Sequence, residues 1–226
     1  KMSTEKIIEY YNQLASEYDE NRFGNSYGQF IDFQERRILN KIFKKQSGKI
    51  LDLACGSGRL TNFATSGADA SEEMLKIAQK KHSEKEFFQA KSNELPFEKE
   101  SFQGCLTFHF IMHLNEVIFT KTIDEVHRIL SKNGTFVFDI PVKSRRKILN
   151  QNQENWHAAL SFNQDEIEKF IKNKFEIRKK FGLLIIPIHR IPKRFRKYFL
   201  TFDFLLSNFG LLKNLSSYHI YELRKI

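Results

Sequence analysis

Cysteine, proline and tryptophan are scarce in this chain: two, four and one among 226 residues. Cys55 and Cys105 cannot build a disulfide framework, and both fall in a predicted core strand or turn. Reduced thiols in a cytoplasmic protein are the expectation. No apolar run approaches the ~20 residues of a membrane span, and no signal peptide is evident at the start. The seven histidines are scattered, none at ligand spacing from a cysteine, so spacing predicts no metal site. Repeats and low-complexity tracts are missing as well.

Phenylalanine and positive charge are plentiful: 23 Phe and a formal net charge of +10. The charge alone speaks to solubility and non-specific contacts. Nucleic acid, anionic lipid and acidic substrates are the partners it would attract. The length suits one domain, or one domain with a small subdomain, and is ample for a core.

The most informative stretch is Lys49–Leu60. Ile50, Leu51 and Leu53 form a short apolar run around Asp52, Gly56 and Gly58 punctuate a turn, and Leu60 starts a helical pattern. A buried strand that breaks into a Gly-rich turn is a nucleotide-binding arrangement. A dinucleotide fingerprint would need a third glycine where Thr61 stands. A phosphate-binding P-loop would need Gly-Lys-Ser/Thr, but Arg59 and Leu60 follow Gly58. The acidic Asp52 would repel a pyrophosphate and suits a ligand with an ammonium group, such as S-adenosylmethionine.

These residues resemble the first motif of the class I S-adenosylmethionine-dependent methyltransferases, especially the small-molecule type of ubiquinone and menaquinone biosynthesis. Ala54 replaces the usual first glycine of Gly-x-Gly-x-Gly. The second motif, Gly67-Ala68-Asp69-Ala70-Ser71, continues to Met74 and Leu75. The resemblance implies that Asp69 accepts hydrogen bonds from both ribose hydroxyls and that Met74 packs on adenine, with Ala70 beside them. The third motif departs. Lys91 stands where the family has an acid near the adenine amine, so Ser92 or Asn93 is expected to serve instead. Gln103 follows Phe102 where Asp is usual.

Thr107–Leu114 follows the fourth strand and, by resemblance, lies under the methionine moiety beside the acceptor. Phe108 belongs to the cofactor wall. His113 and His109 are the candidate catalytic groups, since imidazole takes a proton near neutral pH. His113 also reads as a structural residue at a helix start, and alternation puts His109 on the opposite face of the sheet. No Asn/Asp-Pro-Pro-Tyr/Phe tract and no Pro-Cys pair mark adenine-amine or cytosine-C5 methylation. Tyr10, Tyr11, Tyr18 and Arg22 form a candidate lid, with Arg22 gripping a carboxylate through its planar fork.

The pattern along the chain predicts helices over about 4–18 and 29–45 with a loop at 19–28, and then strands alternating with helices, which implies a parallel sheet. Ser71, Asn115 and Asn163 read as helix N-caps. Residues 141–161 read as a polar, basic excursion that holds Trp156. Only ten residues, 59–68, separate Gly58 from Asp69, whereas a parallel crossover needs a dozen or more. The expectation is a segment missing near Asn62–Phe63, with a true deletion as the alternative. Residues 177–202 carry eight basic and no acidic side chains. The apolar face of 195–209 reads as a helix packed on the sheet or an apolar pocket wall, or else as a lipid-surface element.

The combined expectation is a Rossmann-like, doubly wound, mostly parallel α/β sheet. A helical lid (1–48) precedes the cofactor core (49–140), and the C-terminal part (141–226) completes the sheet and caps the substrate. The expected activity is methyl transfer from S-adenosylmethionine to a small-molecule acceptor by direct displacement. An RNA-modifying methyltransferase and a non-catalytic cofactor-binding protein are the alternatives.

Overall fold

A computed structural model describes residues 4–148 and 160–226, so Trp156 lies outside the described residues. Seven strands form one sheet: β1 (Ile50–Leu53), β2 (Ser66–Asp69), β3 (Glu86–Gln89), β4 (Phe102–Thr107), β5 (Leu130–Pro141), β6 (Phe175–Leu183) and β7 (Tyr218–Lys225). Their order is β3-β2-β1-β4-β5-β7-β6. The first five pair in parallel, while β7 inserts antiparallel between β5 and β6. All four residues of β1 are buried, as befits a parallel strand covered on both faces.

The helices are α1 (Thr4–Leu14), α2 (Ser26–Phe43), α3 (Glu72–Lys81), α4 (Glu116–Ile129), α5 (Lys143–Ile148), α6 (Gln164–Ile171) and α7 (Arg196–Ser207). Local signals set their starts. Ser71 accepts from Met74 N–H, Asn115 from Ile118 N–H, and Asn163 forms a capping box with Glu166. Asn25 caps α2 by accepting from Tyr27 and Gly28 N–H. That cap is why α2 begins earlier than the predicted 29, and a wide helical turn, Glu20–Gly24, occupies most of the predicted loop. Two apolar layers cover the sheet. Phe119, Ile123 and Val126 of α4 pack with Ile167 and Ile171 of α6 in one. Phe30, Ile31, Ile38 and Leu39 of α2 pack with Leu60, Ala64 and Phe204 in the other.

The expected break between Gly58 and Asp69 is not there. The connection is continuous and truly short: a single 3-10 turn, Thr61–Phe63, leads to β2. Its polar groups are met by neighbours rather than by a helix. Lys85 Nζ donates to the carbonyls of Thr61 and Ala64 at 2.5 and 2.7 Å. Thr65 Oγ1 bonds both N–H and C=O of Ile50 at 2.9 Å. With Leu60 and Ala64 in its apolar layer, α2 covers ground that a longer crossover would fill.

The second correction concerns 195–209. Phe195, Tyr198, Phe202, Leu205 and Phe209 are exposed, neither core nor pocket wall. The buried residues of α7 are Asp203, Phe204 and Ser207.

Candidate functional site

Beyond the ends of β1, β2 and β4, under α1 and the turns that follow it, lies a cavity of about 420 Å³. Its floor is the turn after β1, lined by Asp52, Ala54, Gly56 and Ser57. Cys55 N–H donates to Ala68 O at 3.1 Å and Gly58 N–H to Cys55 O at 3.0 Å, folding the turn back on β2. Gly56 has φ +52°, and a Cβ there would meet no protein atom within 4 Å. That open approach suits a ligand lying close to the backbone. Ala54 adopts φ +54°, the left-handed conformation that glycine would take without strain.

Two carboxylates flank this turn. Asp52 is 3% exposed and accepts from Thr61 Oγ1 at 2.7 Å. Burial pushes its carboxyl up to about 7, against the Thr61 hydrogen bond and the Arg59 charge. Asp69 accepts Gly56 N–H on Oδ2 and Ser71 N–H on Oδ1, both at 2.8 Å. It therefore ties the turn to the start of α3, and each oxygen keeps a further lone pair for a ligand hydroxyl. Burial raises its carboxyl above the usual range.

Ala70, Met74, Ser92, Asn93 and Phe108 line the same cavity. Ser92 Oγ is committed to Thr122 Oγ1 at 2.8 Å. Lys91 pairs with Glu5 of α1 at 3.6 Å. The lysine, standing where the family carries an acid, thus faces α1 through an exposed ion pair of little strength.

The other wall is aromatic. Tyr11, Tyr18, Phe23 and His113 line it, with Tyr11 edge-on to Tyr18 at 5.9 Å and to His113 at 6.2 Å. Tyr11 Oη meets His113 Nε2 at 3.3 Å. Burial raises both tyrosine hydroxyls, so they stay protonated at neutral pH.

His109 also lines the cavity, contrary to the expectation from alternation. It sits past the end of β4 with φ +55°, which breaks the alternating pattern. Its Nε2 lies 2.7 Å from Glu35 Oε1 and its Nδ1 3.6 Å from Asp139 Oδ2, while its backbone N–H donates to Asp139 Oδ1 at 2.7 Å. Arg59 binds Glu35 Oε2 at 2.7 Å and Asp32 at 2.5 Å, and stacks on Phe23 at 3.9 Å. Burial would raise the Glu35 carboxyl, but His109 and Arg59 outweigh it and hold it at about 2. Burial raises that of Asp139.

Glu35, His109 and Asp139 bring ligand atoms within 4.8 Å of one another, a set that could hold a cation and that sequence spacing does not reveal. Arg59 already engages the second oxygen of Glu35. Two guanidinium groups, Arg36 and Arg59, and one imidazole face the three carboxylates Asp32, Glu35 and Asp139.

Two expected cofactor residues lie elsewhere. Gly58 does not line the cavity. At φ +79° its missing side chain makes room for Ala78 and His82, so it serves the packing of α3. Arg22 is not part of the lining either; its charge acts on Tyr11, Tyr18 and Tyr27. Among the described residues the lining ends at Ile118, so nothing from 160–226 contributes. Sequence reasoning missed Glu35, Arg59 and Asp139. The one available signal was Gln34-Glu35 inside the apolar stripe of α2.

Residues 51–138 match the family model described as a methyltransferase domain. An uncharacterized protein of Methanocaldococcus jannaschii is 35% identical over 137 residues, 59% of this chain and 51% of that protein. A ubiquinone/menaquinone biosynthesis C-methyltransferase of Campylobacter jejuni is 31% identical over 149 residues, 59% of this chain and 62% of that enzyme. The chain thus spans between about half and three fifths of these curated relatives. A solved S-adenosylmethionine-dependent methyltransferase of Thermotoga maritima shares the fold: TM-score 0.72, 18% identity, covering 96% of this chain and 98% of that one. With the motif turn, the two carboxylates and the sheet order in place, residues 51–138 match a methyltransferase domain, and the chain has the fold of the solved S-adenosylmethionine-dependent methyltransferase.

Proposed function

We propose that this chain transfers a methyl group from S-adenosylmethionine to a small, partly apolar acceptor. The observation that carries this reading is the meeting of Asp52, Asp69 and the open Gly56 turn with Tyr11, Tyr18 and His113 in one cavity of about 420 Å³. The cofactor supplies a methyl group already activated on a sulfonium, so the protein's task is to orient and to exclude water. Asp52 attracts the ammonium end and Asp69 accepts from the ribose hydroxyls. Met74 packs against the adenine. Ile7, Ile8 and Ile118 supply apolar wall for the acceptor.

Of the two histidines, His113 is the proton acceptor and His109 the positioning residue. Both ring nitrogens of His109 face carboxylates, Glu35 and Asp139. His113 meets the Tyr11 hydroxyl within the cavity and can take a proton from the acceptor as the new bond forms.

Calorimetry with S-adenosylhomocysteine tests the cofactor assignment. Asp69→Ala is expected to weaken binding by about 1.5–3 kcal/mol for each hydrogen bond lost to the charged group; unchanged affinity would sink the ribose role. Labelled cofactor offered to fractionated metabolite extracts then tests transfer. Binding without transfer to any fraction would favour a non-catalytic protein.

One observation favours the RNA reading. Arg36, Arg37, Lys41, Lys44, Lys45 and Lys81 line a groove beside Gly58 and Arg59. Asp19, Glu20 and Asp32 in the same groove weaken its field. Steeply salt-dependent binding of transfer RNA with methyl incorporation into it would promote that reading.

A further inference from the structure

Phe195, Tyr198, Phe202, Leu205 and Phe209 follow one another at spacings of three and four, which puts them on one stripe of α7 and its flanking turns. All five face solvent, Tyr198 at 69% and Phe209 at 73% exposure. The turn that follows, Gly210–Leu215, adds Leu211 at 84%, together with Leu212 and Leu215.

Polar contacts hold the helix this way round. Asp203 is fully buried. Its Oδ2 accepts from Gln34 Nε2 at 2.7 Å and Ser207 Oγ at 3.3 Å. Its Oδ1 accepts from the backbone N–H groups of Ile185 and Ile186 at 3.1 and 2.7 Å. Asn208 adds a reciprocal pair with Gly182 N–H and C=O, both at 3.2 Å. Turning α7 to bury its aromatic stripe would break these bonds and strand a carboxylate. The exposed stripe is therefore built into the fold.

Its surroundings are cationic. Arg190, Lys193, Arg194 and Lys197 are exposed beside it. Between residues 177 and 215 the sole acidic side chain is the buried Asp203. Arg37 and Lys41 of α2 lie 4.3 and 4.7 Å over the Phe204 ring and bring two more cations to the flank of the helix.

We propose that this face binds the surface of an anionic lipid bilayer. The aromatic stripe enters the boundary between headgroups and acyl chains, and the four exposed cations meet the lipid phosphates. At 12 residues α7 lies in the interface and does not span it. The interleaving decides the occupant. Arg194 lies 4.7 Å over the Phe195 ring and Lys197 5.1 Å over that of Tyr198, so cation and ring stand side by side, as in snorkelling side chains. A second copy docked on the same face would bring two faces of like positive charge together, with no exposed acid from 177–215 to offset them.

The test is co-sedimentation of the chain with vesicles of phosphatidylcholine alone and of phosphatidylcholine with an equal part of phosphatidylglycerol. The chain is expected to sediment with the mixed vesicles and little with the neutral ones. Phe202→Ser with Leu205→Ser should weaken that binding at least about tenfold, since each removes an exposed apolar side chain from the lipid contact. Lys193→Glu with Lys197→Glu should do the same. An unchanged unfolding midpoint and unchanged S-adenosylhomocysteine affinity confirm that the variants are folded; Tyr198→Ser with Phe209→Ser is the second apolar pair should the first fail to fold. Absence of binding to mixed vesicles overturns the proposal. So does binding that survives both apolar pairs, which would be charge attraction alone. A concentration-dependent dimer dissolved by the apolar substitutions, without vesicle binding, would assign the face to a second copy and equally overturn it.

Discussion

Oε1 of Glu35 stands 2.7 Å from Nε2 of His109, joining the middle of α2 to the segment just past β4. The same carboxylate holds Arg59 at 2.7 Å. Glu35→Gln would leave the Arg59 guanidinium facing a neutral amide in a buried site, and a loss of about 3–5 kcal/mol is expected in urea unfolding at neutral pH. The sign of the pH dependence follows from a carboxyl held at about 2 in the folded state against the ordinary 4.5. Its stabilisation is complete above the unfolded value and fades as pH falls toward the folded one. The gap between wild type and variant should narrow by about 2 kcal/mol between roughly pH 6 and pH 3. A gap that stays constant over that range would contradict the ionic role.

Asp52 behaves in the opposite sense. With its carboxyl raised to about 7, it is about half protonated at neutral pH in the unliganded protein. Its ionisation between the ordinary 3.8 and about 7 costs folding stability, so the advantage of Asp52→Asn should grow across that interval. An arriving ammonium group favours the carboxylate, and binding should release about half a proton near pH 7. Calorimetry of S-adenosylhomocysteine binding in phosphate and in Tris reads this as a buffer-dependent enthalpy. The dependence should shrink in Asp52→Asn. Equal enthalpies for wild type in both buffers would remove the ammonium role.

Ala54 carries φ +54° on the cavity floor. Ala54→Gly relieves the clash of Cβ with the carbonyl and is expected to raise stability by about 1 kcal/mol, seen as a higher urea midpoint at unchanged slope. A destabilised variant would mean that the methyl group's packing outweighs the strain.

Tyr11 and His113 meet at 3.3 Å inside the cavity. Once an acceptor is in hand, His113→Asn should lower kcat by about a hundredfold or more. Tyr11→Phe, which removes one hydrogen bond, should cost about tenfold or less. Affinity for S-adenosylhomocysteine should stay within about threefold in both variants. A fall in that affinity matching the fall in rate would move His113 from proton transfer to cofactor binding.

The sequence by itself determined the alternation of strands and helices, the caps at Ser71, Asn115 and Asn163, and the order of Asp52, Gly56 and Asp69 on one floor. These rest on short-range physics. Apolar periodicity, a side-chain oxygen reaching a backbone N–H three residues on, and a turn that joins two adjacent strands are all written within a few dozen residues. The tertiary structure alone decided the rest. Glu35, His109 and Asp139 meet from α2, the segment past β4 and β5, where burial favours polar side chains that pair with one another and with Arg59. His109 departed from the alternation because a positive φ past the end of β4 re-aims the chain, and no residue count registers it. The short connection 59–68 holds because Lys85, distant in sequence, satisfies its carbonyls. In 195–209 the pattern marked an apolar stripe correctly. Which way the stripe faces was settled by Asp203, whose buried carboxylate binds Gln34 and the 185–186 backbone and so turns the aromatic side of the helix outward.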